Sequence, residues 1–271
     1  MTDPQAPQRP KPLTVHPIRT SCVLLEVDGV RVLTDPFFAP TMSGRKVRRK
    51  PGIPLDQLPP IDFIVASHLH TDHFDLAAVA QLYATNPDMI VLGTVGTARY
   101  CSDIVGLRVL ELRPWDELKV REIAVLAIPA SHTGPPPAEI NFVLDIGPWR
   151  VFFGGDARLS AHHDALAGHL AGQAPIDLAM LPVGGSQIWL RKTTMDPDDA
   201  VIACTKLQPR YALGIHEGGE WPAMPPLSRH PGRRVDFDAL LKASNCVTEP
   251  VPCAPGEHFT LSESGWTVNN S

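Results

Sequence analysis

The feature that most constrains the fold is the segment Ser67-His68-Leu69-His70-Thr71-Asp72-His73, which directly follows a short apolar run. Residues 61–66 are predicted to form a buried strand because they combine apolar and β-branched side chains. Imidazole nitrogens and carboxylate oxygens are ligands for zinc and related cations, and the segment offers four such groups. The segment is too short to form a helix face. A loop at a strand end, however, can direct two ligands to one metal and two to a neighbouring metal.

Three further candidate ligands follow predicted strands elsewhere in the chain. His132 comes just after an apolar strand, Asp156 follows residues 151–153 and two glycines, and His216 follows residues 213–215. Sites in open α/β architectures gather where strands end. The sequence therefore predicts that these side chains converge on the loop 68–73. The alternative interpretation is a surface cluster of histidines that binds no metal.

Composition excludes some classes of protein. The chain has 271 residues, 44% of them hydrophobic, which suffices for a full core. A formal charge of −5 and a pI near 6.1 argue against a nucleic-acid-binding protein, and the basic run 45–50 is interpreted as a solvated loop. Five widely spaced cysteines, without a CxxC pair, favour a reducing compartment. No signal peptide or membrane span is predicted, so we expect a cytoplasmic protein.

The order of predicted elements favours one domain. Residues 1–12 are interpreted as a disordered Pro-rich arm and residues 13–271 as a single domain. The predicted strands are 22–27, 30–34, 61–66, 89–92, 107–112, two within 118–129, 140–146, 149–153, 176–182, 210–215, 258–261 and 266–268. The predicted helices are 76–85, 96–102, 160–171, 196–207 and 237–243. Asp28-Gly29 and Gly147-Pro148 are predicted hairpin turns.

These motifs together resemble the metallo-β-lactamase superfamily, in particular its branch with the ascorbate-6-phosphate lactonases and N-acyl-phosphatidylethanolamine phospholipase D. The resemblance rests on Leu33-Thr34-Asp35-Pro36, on SHLHTDHFD (67–75), and on residues 195–200 leading to His216, and it extends to Pro255-Gly256-Glu257. It implies an α/β (α+β) fold, an αββα sandwich of two mixed β-sheets with helices on the outer faces. One departure is Arg19-Thr20-Ser21, which stands where the branch often has a Gly-His pair.

The resemblance also implies a role for each candidate residue. His68, His70 and His132 would hold one metal, whereas Asp72, His73 and His216 would hold a second. Asp156 would bridge the two ions. Asp35 would orient the ligand loop by hydrogen bonds.

The expected function is a hydrolase with two divalent metal ions. Zinc is favoured, although manganese and iron accept the same ligands. A hydroxide between the ions, oriented by Asp72 as the catalytic residue, would cleave a phosphodiester or a lactone/ester of a small-molecule or lipid-like substrate. Trp189 and Trp221 are predicted to wall the substrate pocket. Two alternatives remain open, a non-hydrolytic iron-dependent oxygenase and a metal-binding regulatory protein without turnover. The intact Asp72-His73 pair argues against the oxygenase.

Overall fold

A computed structural model of the chain describes residues 11–42, 44–132, 138–220 and 227–270. All but the last two residues of the predicted N-terminal arm lie outside these ranges. The elements are numbered below in chain order.

The N-terminal half begins with a strand that the sequence analysis did not delimit, because Pro17 interrupts its apolar pattern. This half contains β1 (Leu13–Arg19), β2 (Cys22–Val27), β3 (Val30–Thr34), β4 (Thr41–Met42), β5 (Arg45–Lys46), a 3-10 turn (Leu55–Gln57), β6 (Phe63–Ala66), α1 (Leu76–Thr85), β7 (Ile90–Thr94), α2 (Thr97–Tyr100) and β8 (Arg108–Leu112).

The C-terminal half alternates strands and helices after two antiparallel hairpins. It contains β9 (Glu117–Val120), β10 (Ile123–Pro129), β11 (Ile140–Ile146), β12 (Trp149–Phe153), α3 (Ala161–His169), β13 (Leu178–Pro182), β14 (Gln187–Ile188), β15 (Arg191–Lys192), α4 (Pro197–Leu207), β16 (Tyr211–Ile215), β17 (Ser228–Arg229), α5 (Arg234–Ala243), β18 (Glu249–Pro250), β19 (Glu257–Ser262) and β20 (Gly265–Asn270).

Two mixed sheets form the centre of the fold. The first has the strand order β20-β19-β1-β2-β3-β6-β7-β8, and the second has the order β18-β16-β13-β12-β11-β10-β9. Strands β3, β6, β7 and β8 are parallel neighbours in the first sheet. In the second sheet, β12, β13 and β16 are parallel, and two antiparallel pairings return β10 to the direction of β12.

Three apolar layers hold the two sheets and the helices together. Phe63 and Val65 of β6 belong to the core between the sheets, which also contains Phe142 and Phe153 of the second sheet. The alternate residues of β6 pack in a layer with the buried side chains of α1, because successive strand residues point to opposite faces. A third layer joins the second sheet to α3, α4 and α5. The αββα sandwich that the resemblance implies is confirmed.

The predicted elements agree with the structure to within a few residues. Both predicted hairpin turns join paired strands, since Val27 pairs with Val30 and Ile146 with Trp149. The sequence analysis did not identify the short strands β4, β5, β14, β15, β17 and β18, which have two residues each and no apolar periodicity of their own. Within the described ranges, no helix is long and apolar enough to cross a membrane.

Candidate metal centre

The candidate ligands meet at one edge of the sandwich, where strands of both sheets end. β6 leads into the loop 68–73, and β10, β12 and β16 lead into His132, Asp156 and His216. Since β10, β12 and β16 run in the same direction, their carboxyl ends lie on the same side of the second sheet. The structure therefore brings together side chains that are up to 148 positions apart, from His68 to His216.

One triad consists of three imidazoles. His68, His70 and His132 each offer a ring nitrogen, and these atoms lie within 4.8 Å of one another. Nε2 of His68 is 2.9 Å from Nδ1 of His70, and Nε2 of His132 is 3.4 Å from the same atom. This convergence of three nitrogens is a suitable half-site for a divalent cation.

A second triad lies beside the first and combines a carboxylate with two imidazoles. Asp72, His73 and His216 also offer donor atoms within 4.8 Å of one another. Asp156 lies against this triad, with Oδ2 3.2 Å from Nε2 of His73 and Oδ1 3.2 Å from Nε2 of His216. The rings of His68 and His73 have centroids 4.2 Å apart, so the two triads adjoin.

Asp35 fixes the orientation of one histidine from each triad. Its fully buried carboxylate accepts hydrogen bonds from the backbone N–H of Ser67 (2.7 Å) and the Ser67 hydroxyl (2.7 Å), and it lies 2.6 Å from Nδ1 of His73. Because the Ser67 hydroxyl donates to Asp35, it accepts from Nδ1 of His68 at 2.9 Å. These contacts favour a proton on Nδ1 of both imidazoles, which would leave the lone pair of each Nε2 for a metal.

Glu139 has the corresponding role in the second sheet, and the sequence analysis did not identify it. Its buried Oε1 accepts the backbone N–H of Asp156 at 2.6 Å, and its Oε2 is 3.6 Å from Nδ1 of His132. Backbone carbonyls of Asp156 and Thr193 lie 3.1 Å from the same nitrogen. His132 is therefore held by its Nδ1, with Nε2 directed at His70. A glutamate that precedes an apolar strand carries no sequence signal for this contact.

Opposite charges shift the ionisation of the second triad. Burial lowers the pKa of His73, but the carboxylates of Asp156, Asp35 and Asp72 outweigh burial and hold that pKa well above its ordinary value. Burial raises the pKa of Asp72, but His73 and His216 outweigh it, so the net shift is downward. The pKa of His68, by contrast, falls because of burial and the neighbouring imidazoles. Positive charge is thus favoured beside the Asp72–Asp156 pair.

At Arg19-Thr20-Ser21, where the sequence departs from the related branch, Thr20 lies near His216, the last candidate ligand along the chain. The Thr20 hydroxyl and backbone N–H donate to the buried carboxylate of Glu220, at 2.5 and 3.0 Å. The Thr20 carbonyl accepts the backbone N–H of His216 at 2.9 Å. Thr20 and His216 both have positive φ, 56° and 48°. The turn between β1 and β2 therefore braces the backbone of the His216 loop.

The two tryptophans predicted to wall the pocket have different outcomes. Trp189 lies at the tip of the β14–β15 hairpin and is 66% exposed, whereas Trp221 lies outside the described residues. A substrate contact by either residue stays a prediction. The structure instead places His230 near the second triad, with Nδ1 2.8 Å from the Ser186 hydroxyl. Burial and the nearby His216 lower the pKa of His230 to about 4.

Sequence comparison identifies a family profile and several relatives of the chain. A profile of the Beta-lactamase superfamily domain matches residues 30–216. An uncharacterised protein of Mycobacterium tuberculosis is 32% identical over 196 residues, covering 68% of this chain and 52% of that protein. The N-acyl-phosphatidylethanolamine-hydrolyzing phospholipase D 1 of Caenorhabditis elegans is 30% identical over 220 residues, covering 72% and 61%. The chain thus spans about half the length of the mycobacterial relative.

A relative of similar size and a solved structure extend the comparison. A metal-dependent hydrolase of Symbiobacterium thermophilum is 27% identical over 235 residues, which cover 85% of this chain and 92% of that protein. The structure of a metallo hydrolase from Ignicoccus hospitalis superimposes with a TM-score of 0.73 at 18% identity, covering 92% and 98% of the two chains. At that identity the structural match bears on the fold alone. Because the profile covers more than half of its residues, the chain belongs to the metallo-β-lactamase superfamily.

Proposed function

We propose that the chain is a hydrolase that depends on two divalent metal ions. His68, His70 and His132 would hold one ion, and Asp72, His73 and His216 would hold the other. Asp156 would bridge them. The observation that carries the proposal is the adjacency of two complete donor triads at the edge where the strands end. Zinc is favoured by the donor types, and manganese and iron accept the same set.

The residues of the second triad fit a cation. Nε2 of His73 is buried 3.2 Å from Oδ2 of Asp156, while Nδ1 of the same ring is held by Asp35. A metal-ligating imidazole usually donates its other ring N–H to a carboxylate, and Asp35 is that carboxylate here. The carboxylates of Asp72 and Asp156 would otherwise depend on protonated imidazoles for their charge balance.

The chain's own residues would prepare the reaction. Two bound divalent ions lower the pKa of a water molecule and stabilise the negative charge that develops on the substrate. Asp72 would accept a hydrogen bond from the attacking water and orient it. Asp35 and Glu139 would keep the imidazoles in the tautomers that expose Nε2.

A cavity that shares one residue with the ligand loop, and that no candidate ligand lines, offers space for the substrate. Its volume is about 770 Å³, and Leu69, between two of the histidines, lines it. Apolar side chains such as Leu112 and Ile140 form part of the wall, and Arg99 and Arg113 contribute positive charge beside Asp103. This lining suits an anionic substrate with an apolar portion. Together with the name of the nematode relative, it supports a phosphodiester or a lactone/ester of lipid-like character.

The test is a comparison of the wild type with Asp156→Ala. We expect close to two metal ions per wild-type chain and turnover of bis-(p-nitrophenyl) phosphate or of a lactone from a panel that also includes β-lactams. Asp156→Ala should abolish that turnover and keep the wild-type circular dichroism spectrum. Asp145→Ala, which removes a surface partner of Arg150, is the control and should keep activity. Full turnover by Asp156→Ala would refute the bridging role.

A further inference from the structure

The hairpin of β14 and β15 ends in an exposed apolar tip. Ile188 pairs with Arg191, which leaves Trp189 and Leu190 as the two-residue turn. Trp189 is 66% exposed, Leu190 is 76% exposed and Ile188 is 49% exposed. Isolated apolar side chains are common on protein surfaces, but three large ones in a row at a protruding turn indicate a binding surface.

The backbone conformation of the turn is one that residues such as Trp189 and Leu190 rarely adopt. Trp189 and Leu190 have φ of 49° and 64°, and a two-residue hairpin turn with both central φ values positive favours Asn-Gly. Side chains with a Cβ are disfavoured in that conformation, and these two bury only a minor part of their surface against the described residues. Contacts within the described part of the chain therefore do not explain Trp and Leu at these positions, whereas a partner outside the chain would.

The two ends of the hairpin lie close to the candidate metal centre. The carbonyl of Thr193, the residue after β15, is 3.1 Å from Nδ1 of His132. Ser186, the residue before β14, has its hydroxyl 2.8 Å from Nδ1 of His230. The residues at both ends of the hairpin therefore contact histidines at or near the candidate metal centre. A partner bound to the tip would lie close to the edge of the sandwich that carries this centre.

The charges around the tip indicate the kind of partner. Arg191 follows the turn, and Arg229 of β17 pairs with Gln187 of β14. Both are exposed, and neither forms an ion pair with the described part of the chain. Lys192, in contrast, is paired with Asp196 and Asp199. The tip therefore combines an apolar end with two uncompensated guanidinium groups.

We propose that the Trp189-Leu190 tip inserts into the interfacial layer of an anionic lipid bilayer. Tryptophan prefers the level of the lipid headgroups, and arginine is attracted to anionic headgroups. A stable contact with a second copy or another protein buries roughly 800 Å² per partner, far more than a few side chains at a turn provide. This proposal does not depend on the substrate of the metal centre.

The experiment measures co-sedimentation of the full chain with phosphatidylglycerol–phosphatidylcholine vesicles, which needs no catalytic turnover. The variant Trp189→Asn/Leu190→Gly installs the preferred turn sequence. We expect it to lower the apparent vesicle affinity by at least about tenfold, because two large side chains lose their apolar contact. The same variant should raise the melting temperature, since the strain of the turn is relieved. Arg191→Gln/Arg229→Gln should weaken binding to anionic vesicles and reduce its dependence on salt.

The control is Val105→Asn/Val247→Asn, which removes two other exposed apolar side chains, 89% and 79% exposed. It should bind vesicles like the wild type. The proposal is overturned if the wild type does not sediment with anionic vesicles or if the Asn-Gly variant binds them equally well. It is also overturned if gel filtration shows a wild-type dimer that the Asn-Gly variant loses, because the partner of the tip would then be a second copy.

Discussion

Substituting Asp35 by Asn should disable both metal half-sites through the tautomers of two histidines. The wild-type carboxylate accepts from Ser67 and faces Nδ1 of His73 at 2.6 Å. An amide of the same shape has one oxygen and one NH₂ group. If its oxygen accepts the backbone N–H of Ser67, its NH₂ faces both the Ser67 hydroxyl and Nδ1 of His73. It then favours the proton on Nε2 of His73, which has no lone pair for a metal. Asp35 has a φ of 33°, which Asn also tolerates, so the backbone should remain in place.

The size of the effect follows from the contacts that are lost. Removal of a group that orients a metal ligand typically costs about 10- to 100-fold in metal affinity, which corresponds to about 1.4–2.7 kcal/mol per site. Since Asp35 also acts on His68 through the Ser67 hydroxyl, we expect losses at both half-sites. The free energy of unfolding should fall by about 1.5–3 kcal/mol, because hydrogen bonds to a buried charged acceptor become neutral or are broken.

The assay is competition with a chelator, which gives the affinity for each ion, together with chemical denaturation. The matched control is Asp75→Asn. Asp75 accepts the backbone N–H of Ala78 through Oδ1, which caps α1, and that of Phe38 through Oδ2. Asn caps helices equally well and loses only the Phe38 contact, which involves no candidate ligand. This control should keep wild-type metal affinity. If Asp35→Asn binds both ions as tightly as the wild type, the tautomer argument is wrong.

Two further predictions concern the fold around the site and the far end of the first sheet. The hydrogen bond to His16, together with Arg31, lowers the pKa of Glu26 from 4.5 to about 2. The ionised carboxylate therefore stabilises the fold above pH 4.5, and that contribution is lost as the pH falls towards 2. After allowance for solvent exposure, Glu26→Gln should lower the free energy of unfolding by about 1–2 kcal/mol at neutral pH. In urea denaturation, the difference in free energy of unfolding between wild type and variant should shrink as the pH falls from 4.5 towards 2. A difference that stays constant over this range would contradict the prediction. Gly155→Ala should cost about 2–4 kcal/mol and weaken metal binding, because its Cβ would lie 2.3 Å from Oε1 of Glu139 and its φ is +48°. Gly168→Ala in α3, whose Cβ meets nothing within 4 Å, should be neutral or stabilising, and equal melting temperatures for the two variants would refute the clash.

The resemblance implied the sandwich, and the sequence pattern was sufficient to predict the position of each candidate ligand relative to a strand. Apolar runs such as residues 63–66 are buried on both faces, so their composition alone predicts strands inside a layered fold. His132, Asp156 and His216 each follow such a run. Their selection as candidate ligands used this position after a strand and not the number of residues between them. The ligand set itself rests on the resemblance and on the geometry of the two triads, and it stays a proposal until metals are measured.

The sequence could not predict contacts that depend on side-chain direction after a loop. Glu139 lies three residues before Phe142 and looks like a solvated residue at a strand start, yet its carboxylate is buried against the backbone of Asp156. His230 lies in the segment after residues that the structure does not describe, and only the fold brings it near His216. The two-residue turn could not be predicted either, and it leaves the side chain of Trp189 66% exposed. Its role as a pocket wall stays a prediction.

The two sheets orient their ligands with separate buried acids, and this division explains how a site assembled from distant segments can be preorganised. Asp35, at the end of β3, holds the loop that supplies four candidate ligands of the first sheet. Glu139, before β11, holds the backbone of Asp156 and faces His132 in the second sheet. Neither acid needs the other sheet to fix its own ligands, since each acts through contacts on its own side of the sandwich. Packing of the apolar core between the sheets then brings the two oriented groups of ligands together and completes both triads, so the folding energy of the core, rather than the metals, aligns the ligands.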